Sequence, residues 1–319
     1  MNLAWVALGL LFLYFGAEWL VRGASSLAMR CGISPLIVGL TVVAFGTSAP
    51  ELVVSVKANL SGQSALALGN VVGSNICNIC LVLGVAALIY PISIQRQVVR
   101  REMPILLVVS FIFYAMLLNG VLSVPEAALL AVGILGYVFF SLRQAKMEPA
   151  GAQVDVDDEA IAAAKKSGAG AVLLDVFLVV IGVAVLVFGA GFLVEGGANL
   201  ARGFGISEAV IGLTLVAFGT SLPELATSMV AALKKESDIC IGNAVGSCIF
   251  NILAVIGISG LFGPMNSSGI TQIDLWVMLG ATIVLLPMMV KGMSLARWEG
   301  AILTLAYLGY TGYLAIANV

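Results

Sequence analysis

Hydrophobic residues run along this chain in long blocks separated by short polar breaks. Ten blocks are long enough for membrane-crossing helices: roughly 3–21, 34–59, 64–89, 104–120, 124–142, 171–193, 207–233, 239–262, 272–290 and 299–317. A helix needs about 20 apolar residues to cross a bilayer, whereas a membrane barrel would alternate polar and apolar positions over roughly ten-residue strands. The pattern therefore predicts an all-α integral membrane protein with ten transmembrane helices, five on each side of a polar stretch at 143–170. The opening residues carry no basic run and no small-residue cleavage pattern, so the first block is expected to stay as a span.

The blocks also repeat. Residues 39–56, GLTVVAFGTSAPELVVSV, match residues 212–229, GLTLVAFGTSLPELATSM, at 13 of 18 positions. Residues 67–84, ALGNVVGSNICNICLVLG, match 240–257, CIGNAVGSCIFNILAVIG, at 10 of 18. Both pairs are offset by 173, and the register reaches back to FGAEWLVRGASSL from Phe15 against FGAGFLVEGGANL from Phe188, so about 70 residues duplicate without a gap. Because each half has an odd number of spans, the second enters the membrane upside down. The expected organisation is a first five-helix repeat at 1–142, a linker at 143–170 and an inverted five-helix repeat at 171–319, with the duplicated motifs at 39–84 and 212–257. Hydrophobic repeats interrupted by Gly and Pro at corresponding places are the sequence sign of a transporter site built between two halves.

Composition then removes other classes. The chain is 61% hydrophobic and 10% charged, far from the roughly 25% charged of soluble domains. A net charge of −2 and the lack of His leave no basic face for nucleic acid. The lipid bilayer is the expected partner, and no obligatory protein partner is indicated. With the first residue placed outside, 13 of the 15 Lys and Arg fall on the inner side, leaving only Lys57 and Arg202 outside. The positive-inside rule then puts both termini outside the cell membrane and the 143–170 linker in the cytoplasm. Asp155, Asp157, Asp158 and Glu159 of that linker lack the spacing of a calcium-binding loop and read as a solvated acidic stretch. Cys77 and Cys80 form a Cys-x-x-Cys inside an apolar block whose second copy has Phe250 and Leu253, so packing is expected there.

Two blocks carry an acid at mid-span, Glu51 and Glu224, each directly after a Pro and a few residues after a Gly. An ionisable group at that depth costs at least ~2.5–3.5 kcal/mol on insertion scales and is a functional candidate by default. Pro frees backbone carbonyls and Gly lets the chain leave helical torsions. In hydrocarbon those carbonyls need a partner, which a cation supplies. Thr47, Ser48, Thr220 and Ser221 stand just before the Pro; Ser74 with Asn78, and Ser247 with Asn251, lie four apart in the second motifs and so on one helical face. Converging at mid-membrane, these segments would form an all-oxygen cage with two negative charges, suited to hard cations such as Ca2+, Na+ or K+ and not to zinc or copper. Thr41, Thr214, Asn70 and Asn243 read instead as packing or hinge positions. Glu18 and Glu195 read as interfacial acids near span ends.

GTSAPE and GTSLPE, each followed by a GNxxGSxxxN segment, resemble the two alpha-repeats of the sodium/calcium exchanger superfamily, in particular its bacterial and archaeal calcium/sodium antiporters. The resemblance covers nearly the whole chain. It implies two inverted five-helix halves, with helices two, three, seven and eight forming the ion site. It further implies calcium on Glu51 and Glu224, helped by the backbone oxygens of Thr47 and Thr220. Sodium sites would draw on Ala44, Thr47, Ser48, Glu51, Ser74 and Asn78, and on Ala217, Thr220, Ser221, Glu224, Ser247 and Asn251. Ca2+ and Na+ would be transported ions, with no cofactor and no enzyme chemistry. Some members, including the potassium-dependent branch, carry Asp where this chain has Asn251, which argues against potassium co-transport. The expected function is Na+/Ca2+ exchange by alternating access, as electrogenic calcium extrusion. H+/Ca2+ and K+-dependent exchange are the alternatives, and a cation channel using the Glu pair as a selectivity ring is the rival from another class.

Overall fold

The computed structural model describes residues 2–147, 169–203 and 217–317. Helix α1 (Asn2–Cys31) is followed by α2 (Pro35–Thr47) and α3 (Ala49–Leu60), which meet at a bend of 44°. Next come α4 (Ser64–Ile89), strand β1 (Ile92–Ser93), α5 (Met103–Met116), β2 (Val121–Leu122) and α6 (Val124–Met147). The second half runs through α7 (Ala169–Gly203), α8 (Ala217–Thr220), α9 (Leu222–Leu233) and α10 (Ser237–Gly260). It ends with β3 (Met265–Asn266), α11 (Gln272–Val290), β4 (Ser294–Leu295) and α12 (Arg297–Ala317). Among the described residues, six helices, α1, α4, α6, α7, α10 and α11, are long and apolar enough to cross a bilayer, and the bent pair α2–α3 makes a seventh. The shorter or less apolar α5, α9 and α12 stand at the other three expected positions. The acidic stretch of the linker, Thr214 and the beginning of the seventh block lie outside the described residues.

Two spans exceed their apolar blocks. α1 continues past residue 21 to Cys31, and α7 past residue 193 to Gly203, giving helices of 30 and 35 residues. At 1.5 Å per residue they are about 45 and about 52 Å long, more than the ~30 Å hydrocarbon core, so they tilt or project beyond it. Polar side chains that lower the local hydropathy are answered in place and do not end the helix. Arg30 pairs with Asp175, Lys234 with Glu18, and Ser25 Oγ donates to Glu236 at 2.8 Å.

α1 and α7 pack antiparallel along a seam of glycines spaced seven apart. A Cβ at Gly16 would come 2.8 Å from the Leu186 nitrogen, and one at Gly182 would come 2.7 Å from that of Leu20. The same closeness recurs at Gly9 and Gly189. Only hydrogen fits between the two backbones, which is how membrane helices gain contact without a hydrophobic drive.

The interior belongs to α4 and α10. The most apolar stretch of α10 is wholly buried and that of α4 largely so, while only a third or less of the corresponding stretches of α1 and α7 is buried. Two antiparallel strand pairs clasp the halves together: Ile92 and Ser93 face Leu295 and Ser294, and Val121 and Leu122 face Asn266 and Met265. Adding 173 to Ile92 and Val121 gives Met265 and Ser294, so each clasp is the repeat image of the other. Helix packing crosses over in the same way, with Gly84 of α4 against Thr304 of α12 and Gly257 of α10 against Ala131 of α6. The repeats therefore interlock.

Gly182→Val forces a side chain into the α1–α7 seam, at a cost of about 1–3 kcal/mol by overpacking. A methyl at Gly191, also on α7, would meet nothing within 4 Å. Thermal unfolding in detergent, followed by tryptophan fluorescence, is expected to show a transition several degrees lower for Gly182→Val and one unchanged for Gly191→Val.

Candidate cation site

Both copies of the first motif break their helix at the same residue. Ser48 has φ −82° and ψ 3°, and Ser221 has φ −87° and ψ 4°. Pro50 and Pro223 follow in the first turns of α3 and α9, where a missing N–H removes no hydrogen bond. Leu52 and Leu225 then return to the carbonyls of Ser48 and Ser221 at 3.2 and 3.1 Å. Glu51 and Glu224 thus sit in the first turns of new helices, where the helix dipole favours negative charge. The second motifs are irregular too. α4 widens into a π-turn at Cys77–Val82 and α10 into one at Asn251–Ile256, so Asn78 and Asn251 do not belong to uninterrupted α-helix. Such turns loosen the ladder and recur at functional sites. Cys77 and Cys80 are buried free thiols within α4.

Glu51 and Glu224 have no exposed surface, and each is met by a serine of the opposite half. Ser221 Oγ lies 3.4 Å from Glu51 Oε1, and Ser48 Oγ lies 3.2 Å from Glu224 Oε1. Ser221 Oγ is also 3.1 Å from Ser74 Oγ, while Ser247 Oγ is 3.4 Å from Glu224 Oε1 and from Thr47 Oγ1. Thr47 Oγ1 donates to Asn243 Oδ1 at 3.0 Å, and Thr220 Oγ1 donates to Asn70 Oδ1 at 3.1 Å. Asn70 Nδ2 reaches the Glu51 carbonyl at 3.3 Å and Ser55 Oγ at 3.0 Å. Asn243 Nδ2 reaches the Glu224 carbonyl at 3.2 Å and Ser228 Oγ at 3.0 Å. Each asparagine therefore holds the backbone of its own half's glutamate and the threonine of the other half.

Several buried oxygens have no partner among the described residues. Among them are Glu51 Oε2, Glu224 Oε2, Asn78 Oδ1, Asn251 Oδ1 and Thr227 Oγ1; Asn78 Nδ2 and the hydroxyls of Ser110, Ser141 and Ser259 are unmet as well. Leaving a buried polar atom unmet costs roughly 1–3 kcal/mol, so a set of such oxygens around two acids suits a hard cation as cargo. Among the described residues neither carboxylate joins an ion pair. Asn251 Nδ2 donates to Asn75 Oδ1 at 3.1 Å and Asn75 Nδ2 donates to the Cys248 carbonyl at 3.4 Å, which leaves Asn251 Oδ1 as the unmet atom.

Of the expected set, Glu51, Ser74 and Ser221 form one hydrogen-bonded group, and Glu224, Ser48, Ser247 and Thr47 another. Thr220 joins through Asn70, while Asn78 and Asn251 are buried without a direct bond to either acid. Ala44 is buried and its carbonyl accepts from Ser48 N at 3.0 Å; Ala217 opens α8, and its side chain lies outside what is described. Thr41 bonds the Ile37 carbonyl within its own helix at 2.6 Å. Asn70 and Asn243, which read from the sequence as packing or hinge residues, are the cross-links of the site; their place in both GNxxGS copies is the signal that points to them. Asn75 carries no such signal, because its repeat position holds Cys248.

The family model described as "Sodium/calcium exchanger protein" matches residues 1–143 and 174–316. The chain is 33% identical over 342 aligned positions to the sodium/calcium exchanger MaX1 of Methanosarcina acetivorans, covering 97% of each. It is 36% identical over 264 residues to the inner membrane protein YrbG of Escherichia coli, covering 82% of this chain and 80% of that one. A solved structure of the sodium-calcium exchanger NCX_Mj aligns with a TM-score of 0.84 at 29% identity, covering 100% of this chain and 98% of the other. The fold is accordingly the ten-helix inverted repeat.

Asn243→Ala removes one partner each from Thr47 Oγ1, Ser228 Oγ and the Glu224 carbonyl. A loss of roughly 1–3 kcal/mol is expected, read as a lower thermal transition of the purified protein, with Asn70→Ala producing a matching fall.

Proposed function

This chain belongs to the sodium/calcium exchanger family, and we propose that it exchanges Na+ for Ca2+ across the cytoplasmic membrane by alternating access. The observation that carries this reading is the pair of fully buried acids, each with one carboxylate oxygen met by a serine of the opposite half and the other unmet. Two carboxylates offset the charge of one Ca2+, and the neutral oxygens of Thr47, Ser48, Ser74 and Asn78 and of Thr220, Ser221, Ser247 and Asn251 supply the further donors that Ca2+ or Na+ requires. Ala44 and Ala217, beside the two breaks, would contribute backbone carbonyls to the sodium sites. Both Asn78 and Asn251 are neutral, which favours sodium over potassium coupling.

The direction follows from charge. If three Na+ enter for each Ca2+ that leaves, one net charge moves inward per cycle, and 100 mV contributes about 2.3 kcal/mol to that movement. An inside-negative membrane then drives calcium out. The bias of Lys and Arg supports both termini outside and the 143–170 linker in the cytoplasm. The long glycine-packed pair α1–α7 supports a cycle in which it shifts as one body over a fixed core of α2–α4 and α8–α10.

The test is ⁴⁵Ca2+ uptake into proteoliposomes loaded with Na+, K+ or choline, with an imposed pH gradient as a further arm. Uptake that requires internal Na+ is expected. Uptake driven by the pH gradient alone would move the chain to H+/Ca2+ exchange, and uptake without any counter-ion would make it a channel. Glu51→Gln and Glu224→Gln should each reduce exchange at least tenfold, and retained exchange in either would sink the site assignment. Asn251→Asp should alter the Na+/K+ preference in the same assay more than it alters folding, although it removes the donation to Asn75 Oδ1.

A further inference from the structure

One cavity of about 460 Å³ forms a groove between α5 and α6, lined by none of the residues assigned to the ion site. Ile105, Val109, Leu129 and Phe140 line its walls, and Leu253 of α10 forms its floor. Two glycines of α6 make room for it. A methyl at Gly133 would press on Leu253 at 3.2 Å, and one at Gly136 would meet nothing within 4 Å. One end of the groove is polar and basic. The Arg101 guanidinium sits over the Phe140 ring at 5.7 Å from its centre and is braced by Glu102 at 3.9 Å, and Glu102 also accepts from Tyr137 Oη at 3.2 Å. Arg100 and Arg143 are exposed at the same end, Arg143 being three residues beyond Phe140 and hence on its face of α6.

The stretch of α6 from Leu129 to Phe140 spans about 16 Å by helical rise. That is about half of a ~30 Å hydrocarbon core, the reach of an acyl chain from one leaflet. Gly136 has a glycine counterpart, Gly309, but the pairing of space with charge is one-sided. At the repeat positions of Gly133, Arg100, Arg101 and Arg143 stand Ala306, Ile273, Asp274 and Ile316, so the other half offers neither that glycine nor the cations.

We infer that this groove seats an acyl chain of an anionic phospholipid, with the lipid phosphate held by Arg100, Arg101 and Arg143. Basic pockets between membrane helices take lipid headgroups in this way. A simpler reading is an ordinary lipid-facing surface beside arginines that only set topology, and it predicts no preference for headgroup charge. Native mass spectrometry decides between the two, using the purified full chain in mixed micelles with equal phosphatidylglycerol and phosphatidylcholine. The wild type is expected to retain phosphatidylglycerol at least fivefold over phosphatidylcholine. Gly136→Leu, which fills the open space, should lower that retention at least fivefold. The double variant Arg100→Gln, Arg143→Gln should bring it to the phosphatidylcholine level, while Arg297→Gln, outside the groove, leaves it unchanged. Equal retention of the two lipids by the wild type, or full phosphatidylglycerol retention by the double variant, overturns the inference. If Gly136→Leu fails to run as a monodisperse peak, the exposed arginine pair alone decides. The readout involves no transport, so it stands apart from the exchange reading.

Discussion

A carboxylate at bilayer depth costs at least ~2.5–3.5 kcal/mol on insertion scales, and this fold carries two with no exposed surface, Glu51 and Glu224. The surrounding structure answers that cost. The helix starts of α3 and α9 present their positive ends, and Ser48, Ser221 and Ser247 meet one oxygen of each acid. Asn70 and Asn243 pin the glutamate backbones. None of this supplies a full ionic counter-charge among the described residues, and two like charges held in a dry interior raise each other's cost. A cation held between them, as proposed, would relieve both burdens, and occupancy and the integrity of the core would then depend on one interaction.

That constraint explains where the helices are regular. α1 and α7 run 30 and 35 residues without a break, and they meet through glycine backbones, with the Arg30–Asp175 pair at one end. The segments bearing oxygen are the irregular ones, broken at Ser48 and Ser221 and widened at Cys77–Val82 and Asn251–Ile256. A continuous α-helix consumes its own carbonyls, and only interruption turns backbone outward as a donor set. The two strand clasps and the crossed packing of α4 on α12 and α10 on α6 hold those irregular segments in register.

Much of this architecture is legible in the sequence. The third and ninth blocks, 64–89 and 272–290, coincide with α4 and α11, since nothing polar obscures their ends. The duplicated motifs point to Glu51 and Glu224 because an acid is conspicuous in an apolar run. The true length of α1 is hidden, because hydropathy falls at Glu18 and Arg30 while partners elsewhere in the chain keep the helix intact. The π-turns are hidden as well, since no residue type specifies them. The position of Asn78 four after Ser74 reads as plain helical spacing, yet a π-turn begins between them. Duplication gives no pointer to Asn75, whose copy is Cys248.

The crossed serines have a consequence for biogenesis. Glu51 and its hydroxyl partner Ser221 are separated by 170 residues. At roughly 5–20 residues per second, a ribosome needs on the order of ten seconds or more to make that stretch. Throughout that interval the first half resides in or beside the insertion machinery with its acid exposed to lipid or water and its complement unmade. The nascent chain must therefore wait in a form that differs from its final packing, and a span of the second half completes one of the first.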